Sequence, residues 1–321
     1  MTKFVRSVVS CVVLGLALPL SLTAQSVAFT FDDGPQLRET PRLSAAERNT
    51  ALLEALKRNH VKAALFVTLS FGADRPPGLA LARAWGEAGQ LIANHTVTHL
   101  DLNAKDTGLK QYQEEISACD SVIRALPGFR PWFRFPFLRE GDTPEKRDGM
   151  RSFLKEHGLR DAYVSLDTSD WRLNAALEEA LKAQPDANLA PFRSVYLAHL
   201  RQRAEAYRDL SRRLFGRDIP QILLLHHNLI NALFLGDAIR LFKDMGWSIT
   251  DPEAAYRDFV YTLEPQRPMP GQSLLLSVAR SLGYRPEAWE RLLDDGDADI
   301  DALRRLGILP KRRESKPEST R

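Results

Sequence analysis

Val27-Ala28-Phe29-Thr30-Phe31-Asp32-Asp33-Gly34-Pro35 alternates β-branched and aromatic residues and then ends in two adjacent carboxylates before Gly-Pro turns the backbone. That pattern reads as a strand delivering an acidic pair to its C-terminal tip. In barrels of parallel strands that tip is where chemistry sits. Neighbouring side chains on a strand point to opposite sides, so Asp32 and Asp33 need not share a job. One can bind a metal while the other faces a water. Asp-Gly and Gly-Pro are also ordinary turn punctuation, and taken alone the stretch leaves both readings open.

Outward from this strand, helical and apolar segments alternate. Ser44-Ala-Ala-Glu47 is a capping box opening a helix to Lys57. The near-continuous apolar run 62–67 suits a parallel strand covered on both faces. Pro76-Pro77-Gly78 breaks the chain before a helix over 79–88, and 91–93 is a short third strand. A helical pattern over 105–126, a strand over 132–135 stopped by Pro136, and a helix capped by Thr143-Pro144 follow. Residues 162–166, 222–225 and 247–250 read as strands five to seven, with charged helical sequence over 175–214 and a helix over 233–244. Strands alternating with helices imply parallel strands joined by right-handed crossovers. The expected architecture is α/β, a distorted seven-stranded β/α barrel with extra helices after strand five and at the C-terminus. An open doubly wound sheet is the alternative.

The chain has 321 residues, and a net charge of +3 gives no electrostatic case for nucleic acid. Lys3 and Arg6 precede the apolar run 8–22 and then Thr23-Ala24-Gln25, which resembles a secretory signal peptide cleaved near Ala24. An uncleaved anchor is the alternative, although the run is short for a span and no second hydrophobic segment follows. The expected organisation is a signal peptide over 1–24, a catalytic barrel over 25–251, a helical extension over 252–309 and a disordered tail over 310–321. Cleavage would leave Cys119 as the single cysteine, which excludes an internal disulfide. An exported chain with no transmembrane span in its mature form is expected, and its oligomeric state is not legible.

His95 and His99 are four apart, so on a helical turn both imidazoles would project from one face and bind one ion. They follow a short apolar strand at the same barrel end as Asp33. Two histidines and one carboxylate make a three-ligand site with open positions, as expected of a catalytic zinc or similar ion; cobalt and manganese suit the same donors. Three further strand ends carry polar groups: Arg134 in Arg-Phe-Pro-Phe, Asp170 and Trp171 in Asp-Thr-Ser-Asp-Trp, and His226-His227 after 222–225. Each has a bland reading as a surface arginine, helix cap, core tryptophan or buried histidine. Five polar clusters at five strand ends are hard to ascribe to packing.

Together these clusters resemble the polysaccharide deacetylases, through Thr30-Phe-Asp-Asp-Gly-Pro35, His95-Thr-Val-Thr-His99, Arg134-Phe-Pro-Phe137, Asp167-Thr-Ser-Asp-Trp171 and Leu224-Leu-His226 in the family's order. The resemblance covers roughly residues 27–250 and implies a distorted seven-stranded β/α barrel. It implies that Asp33, His95 and His99 bind the metal, that Asp32 is the general base toward the attacking water, and that His226 is the general acid. Arg134 would orient Asp32, and Asp170 would hydrogen-bond His226 and favour its protonated form. Trp171 and Leu224 would wall the acetyl methyl group, and Phe137, where the family often has tyrosine, would offer a backbone N–H to the oxyanion. The Leu-x-His pattern selects His226 over His227 as the acid.

The expected function is metal-dependent removal of N-acetyl groups from an N-acetylglucosamine-containing glycan, with release of acetate. O-deacetylation of a polysaccharide such as acetylxylan, deformylation of an amino sugar, and glycan binding with lost catalysis are the alternatives.

Overall fold

The computed structural model describes residues 25–267, 270–284 and 295–310. The expected signal segment, residues 285–294 of the expected helical extension and the expected tail from 311 onward lie outside the described residues. Seven strands are present: β1 Ser26–Gly34, β2 Ala64–Val67, β3 Leu91–Asn94, β4 Phe129–Phe133, β5 Arg160–Asp161, β6 Gln221–His226 and β7 Ser248–Ile249. All pairings are parallel, in the order β5-β4-β3-β2-β1-β6.

The sheet curls until its ends approach. Beyond β5 the chain runs on to β6, where Leu166 N–H donates to the Ile222 carbonyl at 3.0 Å and Leu224 N–H donates to the Leu166 carbonyl at 3.0 Å. This is the distorted seven-stranded β/α barrel expected from the sequence. Strand five was expected over 162–166, but only 160–161 forms a ladder with β4 and the rest turns across to β6. Strand seven is also reduced. It pairs with Ser26 and Val27 at the base of β1, on the side away from β6, and does not extend to the mouth.

The helices are α1 Ala45–Asn59, α2 Pro76–Glu87, α3 Leu109–Ile123, α4 Pro144–Glu156, α5 Asp170–Ala183, α6 Ala190–Phe215 and α7 Leu229–Asp244, followed by α8 Pro252–Ala255, α9 Leu274–Ser281 and α10 Asp297–Arg305. The capping box at Ser44 is formed in both directions. Helix α2 starts three residues earlier than expected, with prolines at its first positions. Proline there loses only an N–H that a first turn leaves unbonded anyway, so Pro76-Pro77 opens this helix where the sequence reading saw a break.

Every residue of β2 and β3 is buried, as a parallel sheet covered by helices requires. Phe31 meets Trp85 edge-on at 5.5 Å and Phe29 meets Phe242 likewise at 5.6 Å, so the strand that carries the carboxylates is anchored to α2 and α7. Each such fully buried side chain contributes about 1.5–3 kcal/mol. Among the described residues no helix is long and apolar enough to cross a membrane.

Candidate metal and catalytic site

At the C-terminal mouth of the barrel a cavity of about 450 Å³ is lined by residues that include Asp32, Asp33, His95, His99, Trp171, Leu224 and His226. Asp32 and Asp33 both reach it despite being neighbours on a strand. Asp33 lies in the left-handed region at φ 64°, which breaks strand alternation and swings its carboxylate to the same side. Aspartate tolerates that conformation better than most residues.

The histidine pair is not on a helical turn. Residues 95–99 form a bent loop in which Thr96 (φ 73°) and His99 (φ 61°) are left-handed. Asn94 Oδ1 accepts from Thr96 N–H at 2.9 Å, Thr96 Oγ1 accepts from His99 N–H at 3.0 Å, and Glu115 takes the Val97 and Thr98 amides. The loop achieves what the four-residue spacing promised by other means. His99 Nε2 lies 3.2 Å and His95 Nε2 3.6 Å from Asp33 Oδ1.

These three side chains form a group able to hold one metal ion. His95 Nδ1 faces the Arg134 carbonyl at 2.8 Å, so that nitrogen carries the proton and Nε2 presents its lone pair to Asp33. Burial, with His99 beside it, pushes the His95 pKa down to about 3, so the ring is neutral as a ligand must be. Asp33 Oδ1 is buried with no hydrogen-bond partner. A buried carboxylate oxygen without a hydrogen-bond partner, facing the His95 lone pair and close to His99 Nε2, is costly unless a cation lies among them.

Asp32 is held separately. Arg134 Nη1 donates to its Oδ1 at 2.6 Å, and the same guanidinium bonds Thr30 Oγ1, the Ala162 carbonyl and Tyr256 Oη while stacking 3.8 Å over Phe66. Burial lifts the Asp32 carboxyl above its ordinary value against the opposing pull of Arg134 and His226.

His226 is the register partner of Asp32 across the β1–β6 ladder. Its Nδ1 bonds Asp170 Oδ1 at 2.7 Å. The other Asp170 oxygen accepts from His226 N–H at 3.0 Å and from the amides of Asn228 and Asn231 at 2.9 and 2.6 Å. Burial disfavours the imidazolium, but Asp170, with Asp33 and Asp32 behind it, overcomes this and pushes the pKa up to about 10. His227 turns away, with Nε2 3.0 Å from Asn49 Oδ1 beside Trp85, and burial pushes its pKa down to about 3.

Phe137 and Trp171 stand on the rim, each about half exposed. Phe137 and Leu138 are consecutive left-handed residues, and the Phe137 ring meets His99 edge-on at 4.5 Å. All ten residues singled out from the sequence therefore gather at or directly behind one cavity.

Sequence reasoning missed Thr30, Tyr256, Asn228 and Asn231, which hold Arg134 and Asp170. Asn228 had a usable signal, since it caps α7 by accepting from the Asn231 amide. It also missed Arg203 and Asp295, which line the cavity together with Asp167, a residue quoted in the Asp167–Trp171 motif without a role. Burial pushes the Asp167 pKa up to about 6.

Fold and site together define a β/α-barrel protein whose mouth brings Asp33, His95 and His99, a group that could hold a metal ion, beside a second carboxylate and a further imidazole. Residues 21–160 match the family described as Polysaccharide deacetylase. Over 146 residues, 46% of either chain, the sequence is 30% identical to a peptidoglycan-N-acetylglucosamine deacetylase of Bacillus cereus. Over 211 residues, covering 62% of this chain and 86% of the relative, it is 29% identical to a chitooligosaccharide deacetylase of Sinorhizobium fredii. The match to the Bacillus cereus protein thus spans less than half of that protein's length. In fold the chain is similar to a CE4 family pseudoenzyme from Bacillus anthracis, with a TM-score of 0.50 at 16% identity over 73% of this chain and 66% of that one. The chain is a relative of the polysaccharide deacetylases.

Proposed function

We propose that this chain is a metal-dependent hydrolase that removes N-acetyl groups from an N-acetylglucosamine-containing glycan and releases acetate. The observation that carries the reading is the arrangement of Asp32 and His226 as adjacent register partners lining a cavity that Asp33, His95 and His99 also line.

A divalent ion at the Asp33, His95 and His99 group, zinc first among the candidates, would lower the pKa of water to about 7 and polarise the acetyl carbonyl. Asp32, buried and bonded by Arg134, takes the proton from the attacking water. His226, kept protonated by Asp170, gives a proton to the departing amine, which is a poor leaving group without it. The half-exposed rings of Phe137 and Trp171 supply flat apolar faces for a sugar, and Leu224 closes the cavity floor toward the acetyl methyl. The names of the relatives support glycan substrates. Export is our reading of the first 24 residues.

Acetate release by the mature chain with zinc tests the proposal, using chitooligosaccharides, peptidoglycan and acetylxylan with a chelated control for each. Chelator-sensitive release from an amino-sugar substrate is the expected result. Release from acetylxylan alone would replace the amidase reading with an esterase one, and glycan binding with no release under zinc, cobalt or manganese would overturn catalysis.

A further inference from the structure

His199 lies in the middle of α6, and nothing in the mechanism above uses it. It is 2% exposed and bonded on both sides of the ring. Nε2 accepts from the backbone N–H of Ser169 at 3.0 Å, so the proton is on Nδ1, which donates to Asp299 Oδ2 at 2.7 Å. Ser169 precedes Asp170, the first residue of α5 and the partner of His226. An unbroken series of bonds therefore links α10 to the proposed acid: Asp299, His199, the Ser169–Asp170 peptide, His226.

Two further contacts bring the same segments together. Arg172 Nη2 donates to Asp297 Oδ1 at 3.0 Å. Gly296, left-handed at φ 88°, sits so close that a Cβ there would be 3.1 Å from Ser169 Cβ and 3.3 Å from Arg172 Cγ. Asp295, at the head of this segment, lines the cavity with Asp167 and Trp171.

We infer that His199 and Asp299 are a positioning pair, through which the C-terminal segment 295–299 holds the Ser169–Trp171 turn where Asp170 can orient His226. The step it serves rests on the deacetylase reading, but the strut itself does not. An imidazole is suited to this place because it accepts from a backbone amide on one edge and donates to a carboxylate on the other, spanning two segments with one rigid ring. Its loss removes the ring nitrogen that accepts from the Ser169 N–H. A displacement of that turn by about 1 Å costs catalysis up to about 10²-fold with no loss of any reacting group.

Amide exchange of the full chain, read by mass spectrometry on peptides covering 167–173 with β6 as internal reference, tests the strut without any assay of activity. H199F is expected to speed exchange in 167–173 by about tenfold, since losing a buried hydrogen bond shifts a local opening by about that factor, and to leave β6 unchanged. D299A, at a half-buried position, should act in the same direction, whereas D299N and H199Q, which keep an acceptor or a donor–acceptor pair in place, should restore protection in large part. On a substrate the wild-type chain deacetylates, H199F should lower kcat by about 10- to 100-fold with KM little changed. Unchanged exchange in both H199F and D299A, an equal rise in β6, or a rise in KM alone would overturn the inference. If the wild-type chain releases no acetate, the deacetylase reading falls while the exchange result still decides the strut.

Discussion

Three residues in the left-handed region, Asp33, Thr96 and His99, gather the candidate metal ligands at the barrel mouth. Residue types and spacing were legible in the sequence, whereas these conformations were not. Strand alternation predicted that Asp32 and Asp33 diverge, and helical spacing predicted how His95 and His99 converge; left-handed backbone overrides both. The two carboxylates nonetheless differ in their surroundings: Arg134 bonds Asp32 while Asp33 Oδ1 has no hydrogen-bond partner, and His95 Nε2 lies 3.6 Å from an oxygen of each. At this scale the proposed acid makes a pH prediction. His226 must be protonated to donate, and its pKa is raised to about 10, so activity is retained through neutral pH and lost as pH rises through that value. D170N removes the negative neighbour that favours the imidazolium. A rate–pH profile of D170N should show the alkaline limb moved to lower pH and a kcat reduced by about 10²- to 10⁴-fold. An alkaline limb that stays in place would remove Asp170 from this role.

The alternation of apolar strands with capped helices made the elements readable, and their ends were the weak point. Strand five was expected over 162–166 because those residues are apolar, and four of the five are indeed core. They are apolar because they cross from β4 to β6 through the interior, a path that periodicity does not distinguish from a strand. The stretch after Pro252 carried no readable motif, yet Tyr256 and Tyr261 from it enter the barrel. Tyr256 Oη accepts from Arg134 Nη2 and donates to the Tyr163 carbonyl, each at 3.1 Å, and Tyr261 Oη bonds Ser165 Oγ at 2.8 Å. A lone aromatic in irregular sequence gives no periodic signal, which is why these struts were missed. Y256F leaves a buried guanidinium donor and a buried carbonyl unpaired and should cost about 1–3 kcal/mol, read as a lower denaturation midpoint. An unchanged midpoint would mean that Tyr256 only fills space.

Across the whole molecule, the family match over 21–160 contains Asp32, Asp33, both histidines and Arg134 but not the proposed acid. His226, Asp170 and Trp171 come from the second half of the chain, together with the cavity wall of Asp167, Arg203 and Asp295. The site is thus assembled from both halves, and the extension beyond 252 is tied to barrel and cavity by Tyr256, Gly271 and Asp295. The most direct test of the central claim is calorimetric titration of zinc into the metal-free mature chain and its D33A and D32N variants, with acetate release assayed on the same samples. The account predicts one ion per wild-type chain with chelator-sensitive acetate release, loss of both in D33A, and in D32N an ion still bound with release abolished. Full zinc-dependent acetate release from D33A, or release from the wild-type chain that is indifferent to metal, would contradict it.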